Sequence, residues 1–329
     1  MHTVYTNTNF TCLTFILAGV PGLDAGHLWQ IMPFSSIYLM ALVGNCTILF
    51  IIKMDPGLHE PMYYFLSMLA LADLGLSLCT MPTVLSILWL NSREISAGAC
   101  FTQFYFIHTF SFLESSVLLA MAFDRYMAIC HPLRYASILT SSRIAKIGLA
   151  ILGRCIFVVM PGVFVLRKLP FCRSHALSLS HCLHQDLMKL VCADIMFNIV
   201  YGLSLAILIF MLDSLLIFAS YILIFKTILS IASREECLKA LNNCLSHIIA
   251  VLILYIPMAG VSIVHRFGQH TSPVVHVLMA NVYLLVPPVL NPIIYSIKTK
   301  QIRQGILRLF SLQRTYGTWP KRSLVTPHR

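Results

Sequence analysis

The chain has 329 residues, of which 58% are hydrophobic and 11% charged, whereas an average soluble domain carries roughly 25% charged residues. That balance excludes a soluble globular protein and identifies a chain solvated largely by lipid. The formal net charge of +11 resolves below into an excess on one membrane face, so it is not a nucleic-acid footprint and no nucleic-acid partner is expected.

Residues 1–27 lack the basic start and long apolar core of a cleaved signal peptide, so the first helix is expected to serve as an uncleaved insertion signal. Within this tail Asn9-Phe10-Thr11 is a glycosylation sequon, with Asn9 the expected acceptor. Seven apolar windows follow, at 28–53, 61–89, 97–130, 143–166, 196–226, 238–264 and 273–297. Each is long enough for a hydrocarbon core about 30 Å thick, which takes about 20 apolar residues per helix. Barrel strands would show a period of two, but IMPFSSIYLMALVGNCTILFII in the first window is apolar almost all round. Its backbone bonds must be satisfied internally, as a helix does. Asn45-Cys46-Thr47 also matches the sequon, but it sits inside that helix, so Asn45 is read as a packing residue. After the last window, IRQGILRLF alternates Arg303 and Arg308 with apolar residues, as an interfacial amphipathic helix does. The expected fold is an all-α membrane protein: an extracellular tail at 1–27, a seven-transmembrane helix bundle at 28–297, and a cytoplasmic tail at 298–329 that opens with the amphipathic helix.

Positive charge sets the orientation, because Lys and Arg are retained on the cytoplasmic side of short loops. With the N-terminus outside, cytoplasmic segments hold Lys53, Arg125, Arg134, Arg143, Lys146, Lys226, Arg234, Lys239 and eight more from Lys298 onward, 16 in all, against six in outer segments. The opposite orientation would invert that ratio.

Charges inside a membrane segment cost several kcal/mol and by default face the bundle interior. They are Asp73 in the second span, Glu114 in the third, Arg154 in the fourth and Asp213 in the fifth, with Asp124 and Arg125 at the inner end of the third. Arg154 is expected to snorkel or to pair with a polar neighbour, and Asp213 to pack or gate. Pro257 and Pro292 are expected to interrupt and kink the sixth and seventh helices. Cys100 and Arg125 stand 25 residues apart, about 37 Å of helix at 1.5 Å per residue. One helix therefore joins an outer mouth, where a disulfide is permitted, to a cytoplasmic Asp124-Arg125-Tyr126. An acid beside an arginine there is expected to form a local lock.

HExxH, GxSxG, CxxC and Walker sequences are absent, which argues against an enzyme. An ion channel or transporter is the rival reading, since Asp73, Glu114 and Asp213 could line an ion path, but seven helices do not divide into two equal inverted halves. Of the cysteines, Cys100, Cys172, Cys182 and Cys192 form an outer set with three possible pairings, and Cys12 stands in the tail. The connection from Arg167 to Phe197 is about 30 residues long, and such loops are often lids over binding sites.

The sequence resembles the rhodopsin-like G-protein-coupled receptors, and within them the olfactory receptors. The likeness is carried by Gly44-Asn45, LHEPMYYFLSMLALADL from Leu58, MAFDRYMAICHPLRY from Met121, SHIIAV from Ser246 and PPVLNPIIYSIKTKQIR from Pro287. Pro21-Gly22-Leu23, the LHEPMYY wording and VHRFG from Val264 are similar to the fish-like class I branch, close to its family 51. The resemblance implies a multi-pass plasma-membrane receptor for a small odorant, coupled to an olfactory-type stimulatory Gα that raises cAMP. It implies that Asp124, Arg125, Tyr126, Tyr221, Asn291 and Tyr295 carry activation, and that Asp73, Glu114 and Asn291 surround a sodium ion or a proton. It implies the disulfides Cys100–Cys182 and Cys172–Cys192, which would hang Gln185 over the bundle mouth.

Ser262 and Arg266, four residues apart, share one face of the sixth helix. Across the bundle His108 lies eight residues, about 12 Å, below Cys100, with Ser111 and Ser115 below it on nearly the same face. With Gln185 these residues outline a pocket with a cationic roof and apolar walls. A guanidinium binds carboxylate through two parallel charge-assisted bonds, so an organic carboxylate is the expected ligand.

Overall fold

The structure is a computed structural model that describes residues 14–19, 28–171, 175–230, 234–267 and 272–312, apart from the side chains of 28–30, 236, 239, 243, 265–267, 273 and 310–312. Seven helices among them are long and apolar enough to cross a membrane. They are α1 (Leu28–Met54), α2 (Pro61–Leu90), α3 (Ala97–Cys130), α5 (Ser141–Arg167), the continuous pair α7 (Met196–Ala206) and α8 (Leu212–Leu229), α9 (Arg234–Phe267) and α10 (Pro273–Lys298). Three short helices complete the series: α4 (Pro132–Ile138) beyond the inner end of α3, α6 (His184–Met188) in the long loop, and α11 (Lys300–Leu312) after α10.

Helix ends fall where capping residues stand. Ser96 accepts from Ala99 N at 3.3 Å and Ser272 from Val274 N at 3.3 Å, each satisfying one of the donors that a helix start leaves open. Asn91 closes α2 in the left-handed region at φ 50°, which asparagine tolerates better than most residues.

The bundle is built around α3, whose Cys100, Phe104, Ile107, Ser111, Ser115, Leu118 and Ala122 are all buried. Their spacing of three and four residues keeps one face of α3 turned inward along its whole length. The prolines do not interrupt the helices as expected: α9 runs unbroken through Pro257, and α10 through Pro287, Pro288 and Pro292. The reason is visible at Pro292, which has no N–H to give to the Pro288 carbonyl one turn back. Asn45 of α1 gives Nδ2–H to that carbonyl instead, at 2.8 Å, and also to Ala41 O at 2.9 Å. The break that was not expected is the π turn at Ile207–Met211 between α7 and α8. On the inner side α11 buries Ile302, and Arg308 lies 3.6 Å from Asp55 in the α1–α2 turn.

The other departure from the all-α expectation is a cap at the Cys100 end, the outer end by charge asymmetry. Strand β1 (Thr14–Ile16) pairs antiparallel with β2 (Glu94–Ser96). Its other edge meets the long loop through Ile16 N to His175 O at 2.8 Å and Leu177 N to Ile16 O at 2.7 Å. Phe15 and Leu17 are thereby buried with Phe101, Leu177 and Leu187. Full burial of such a side chain contributes roughly 1.5–3 kcal/mol, so the tail has a reason to stay in place. A disulfide joins Cys100 to Cys182, and Gln103 Oε1 accepts from Cys182 N at 2.9 Å beside it. Cys192 is disulfide-bonded, while Cys172, Cys12 and Asn9 lie outside the described residues.

The Cys100–Cys182 bond closes a sequence separation of 82 residues, for which chain-entropy arguments give about 4–5 kcal/mol. Cys100→Ser and Cys182→Ser should therefore each reduce surface delivery severely, measured by flow cytometry on intact cells, and the double variant should be no worse than either single one.

Candidate ligand site and the polar core beneath it

Below the cap lies a cavity of about 460 Å³, within the size range of small-molecule sites. Its walls come from α3 (Phe104, His108, Ser111), α6 (His184, Gln185), α7 (Tyr201, Gly202), α9 (Ser262) and α10 (Tyr283), with Val159 and Gly162 of α5 closing one side. Four of the sequence-selected ligand residues, His108, Ser111, Gln185 and Ser262, thus share one cavity. Arg266 falls in the last turn of α9, one turn beyond Ser262, and its side chain lies outside the described residues. Ser115 is not on the wall; it is fully buried one turn deeper.

One wall histidine, His184, was missed by the sequence reading. His184 stacks on Phe104 at 5.4 Å between centroids and stands 6.4 Å from His108. It fits because residue 202 is glycine: a Cβ there would come within 2.7 Å of the His184 ring. Burial, with His108 nearby, pushes the His184 pKa down to about 3, so its ring is neutral at physiological pH. His181, two residues before in the chain from Leu183 and next to Cys182, is also held neutral by burial, at about 4. The signal for His184 was its place beside Gln185. His108 Nδ1 lies 3.0 Å from Phe104 O, which makes Nδ1 the protonated nitrogen and leaves Nε2 as an acceptor.

The cavity floor includes Phe112 and Phe210, and beneath it lies a polar cluster at mid-membrane. Ser115 Oγ donates to Asp213 Oδ2 at 2.9 Å and lies 2.8 Å from Tyr255 Oη. Arg154 Nη2 reaches Asp213 Oδ2 at 3.5 Å and bonds Ser116 Oγ. Of the two fates expected for Arg154, the structure has it paired rather than only snorkelling. Nearby, Asn291 Nδ2 donates to both Asp73 oxygens at 3.2 and 3.1 Å. Glu114 is buried beside Asp73, and among the described residues neither of its carboxyl oxygens has a hydrogen-bond partner.

At the inner end the expected acid–arginine lock has a different partner. Asp124 Oδ1 accepts from Tyr135 Oη of α4 at 2.8 Å, and no ion pair joins Asp124 to Arg125 among the described residues. Burial and the Asp124 carboxylate together raise the Tyr135 pKa, keeping the phenol protonated as the donor. Tyr126 Oη lies 3.1 Å from His131 Nε2. His247 of α9, which sequence reasoning passed over inside SHIIAV, has Nε2 2.9 Å from Leu118 O and Nδ1 2.7 Å from Tyr221 Oη. A carbonyl only accepts, so Nε2 carries the hydrogen and Nδ1 accepts from the tyrosine. Tyr295 Oη reaches Met121 Sδ at 4.0 Å.

The olfactory receptor family model matches residues 34–313. The chain belongs to the olfactory receptor family. It is 58% identical to human olfactory receptor 51Q1 over 312 residues, covering 95% of this chain and 98% of that one. It is also 58% identical to human olfactory receptor 51G2, over 90% of this chain and 95% of that one. Squid rhodopsin superposes with a TM-score of 0.70 at 17% identity, covering 93% of each chain, which fixes the rhodopsin-like fold. The protein is thus a multi-pass plasma-membrane receptor and not an enzyme.

In this receptor Asp213 is the acceptor shared by Arg154 and Ser115. Removing one member of a buried pair leaves the other uncompensated, whereas removing both is often tolerated. Asp213→Leu should therefore lower surface receptor severalfold, and Arg154→Leu added to it should recover most of that loss, scored by surface immunofluorescence against total protein.

Proposed function

We propose that the receptor binds a small organic carboxylate in this cavity and, in response, activates an olfactory-type stimulatory Gα to raise cAMP. The observation that carries the ligand class is the position of Ser262: it faces the cavity, and Arg266 follows one turn later on the same face of α9. An acid head held there by the Arg266 fork has His108, His184, Gln185 and Ser262 within the same cavity for a second polar contact, while Phe104, Phe112 and Phe210 receive its apolar body. A neutral His184 imidazole suits this role, since it offers one donor without a competing charge, whereas His108 has its hydrogen on the Phe104 carbonyl and can only accept from a ligand hydroxyl or a protonated acid. The competing reading, in which Arg266 snorkels into lipid headgroups, leaves acids with no advantage over alcohols and aldehydes.

Arg266→Gln should abolish the cAMP response to acids, and Arg266→Lys should weaken it by roughly tenfold or more, since a lysine lacks the bidentate fork. A panel of acids, alcohols, aldehydes and amines read by cAMP checks this; an unchanged acid dose-response in Arg266→Gln would falsify it.

The coupling half of the reading rests on the inner end of α3. Agonists act by binding the active arrangement better than the inactive one, and their effect is bounded by that difference. Arg125, unpaired with Asp124, is the group we assign to the Gα contact. Arg125→Ala should remove agonist-driven cAMP while surface expression stays near normal.

Asp73, Glu114 and Asn291 also fit a sodium ion or a shared proton. Two carboxyl groups side by side need a cation or a proton between them, and the Glu114 oxygens and Asn291 Oδ1 are buried without other partners. A sodium ion there would offset one of the two carboxylate charges, and a proton on the pair would offset the other. Asp73 and Asn291 would hold the ion together with Glu114, and the Asn291 amide would stay turned toward Asp73.

A further inference from the structure

The cavity is not walled equally on every side. Toward α3 its lining is deeply buried, with Phe104, Ile107 and Ser111 each almost inaccessible. Above α3 and α5 stands the cap, with its own packed core of Phe15, Leu17, Leu177 and Leu187 and its disulfide to α3. Between α5 and α7 the wall is one side chain thick. Tyr201 lines the cavity and is at the same time half-buried only. Its Oη donates to Val158 O of α5 at 2.7 Å, and its ring lies across Gly162, 3.6 Å from where a Cβ would stand. On the outside it stacks with Phe197 at 5.5 Å and 9°, and Phe197 is 53% exposed. Behind it Val159 and Gly162 are themselves cavity wall.

Depth gives this crevice a chemical meaning. Tyr201 lies five residues into α7, about 7–8 Å below its outer end, and Ser262 lies five residues before the end of α9, at about the same depth. With a hydrocarbon core about 30 Å thick, both stand at the level of the outer leaflet's acyl chains, just below its headgroups. We propose that the crevice between α5 and α7, shuttered by Tyr201, is a lateral portal through which apolar and amphiphilic ligands enter the cavity from the outer leaflet. Such a molecule is concentrated by the bilayer, with its polar head near the interface and its tail beside the crevice. Swinging the Tyr201 ring away breaks one hydrogen bond, and glycine at 162 leaves the space into which a tail can pass. The head then arrives at the depth of Ser262 and His184 without crossing the packed cap.

The proposal rests on reading the cavity as the ligand site, so its test labels the cavity directly and needs no agonist. Ser111 lines the cavity, and cysteine differs from serine only in its γ atom, so Ser111→Cys introduces a thiol reporter with little change of shape. The full-length receptor in lipid nanodiscs is treated either with dodecyl methanethiosulfonate, which partitions into the bilayer, or with a trimethylammonium-bearing methanethiosulfonate, which stays in water. The Ser111 parent supplies the background from native cysteines. The dodecyl reagent should modify the Ser111→Cys receptor faster than the charged one. Adding Tyr201→Phe, which deletes only the bond to Val158, should speed the dodecyl reaction roughly fivefold, the factor that one ordinary hydrogen bond gives. Gly162→Leu should slow it by a similar factor, and neither substitution should change the charged reagent's rate. If Gly162→Leu fails to reach the nanodisc, Tyr201→Phe decides alone. Faster labelling by the charged reagent, or a dodecyl rate indifferent to Tyr201→Phe, overturns the portal.

Discussion

A polar group in the hydrocarbon core has no water to turn to, and an unsatisfied one costs several kcal/mol. This constraint fixes the bundle more tightly than apolar packing can, because lipid tails are as apolar as leucine. Some polar side chains at depth bond back to their own helix, as Ser77 and Thr80 do, but several are ties between helices. Asn45 clasps α1 to α10 by serving the carbonyl that Pro292 leaves open. Ser115 and Ser116 of α3 reach Asp213 of α8 and Arg154 of α5, and Tyr255 joins α9 to the same hydroxyl. His247 spans α9, α8 and α3 with two bonds from one ring. The helix common to nearly all of these ties is α3, which explains why one of its faces is buried along its whole length.

The groups that stay unsatisfied are informative for the same reason. Ser111 faces the cavity, and Glu114, one turn below it, lies beside Asp73. Neither has a partner at full hydrogen-bond geometry among the described residues, and Thr109 on the same helix is open as well.

Much of this was legible in the sequence because membrane helices are written in composition. The seven windows and the amphipathic segment follow from length and hydropathy; the starts at 97 and 273 coincide with the Ser96 and Ser272 caps, and the other ends differ by a few residues at most. What could not be read was any relation set by tertiary contact. Arg154 and Asp213 are 59 residues apart, and nothing local marks them as a pair. Asp124 next to Arg125 looked like a local lock, but adjacent residues on a helix do not face each other, and the carboxylate turns to Tyr135. Ser115 shares a heptad face with His108 and Ser111, yet the bundle closes between them. Strand β1 was hidden for another reason: three residues carry no period, and their pairing partners come from two separate loops.

The π turn shows how a local irregularity places two functions on one helix. Such turns occur frequently at functional sites, and this one holds Phe210 in the cavity floor with Asp213 directly below. Phe210 meets Tyr255 of α9 edge-on at 6.3 Å, and Tyr255 shares the Ser115 hydroxyl with Asp213. A ligand pressing on Phe210 is therefore one further contact from α9 and three from the Arg154–Asp213 pair. Because the cluster sits in low dielectric, Tyr255 cannot leave Ser115 for water; it must keep that bond or exchange it for another within the protein. That restricts α9 to a small number of arrangements instead of a continuum of tilts, the bistable kind of element on which a differential ligand affinity can act.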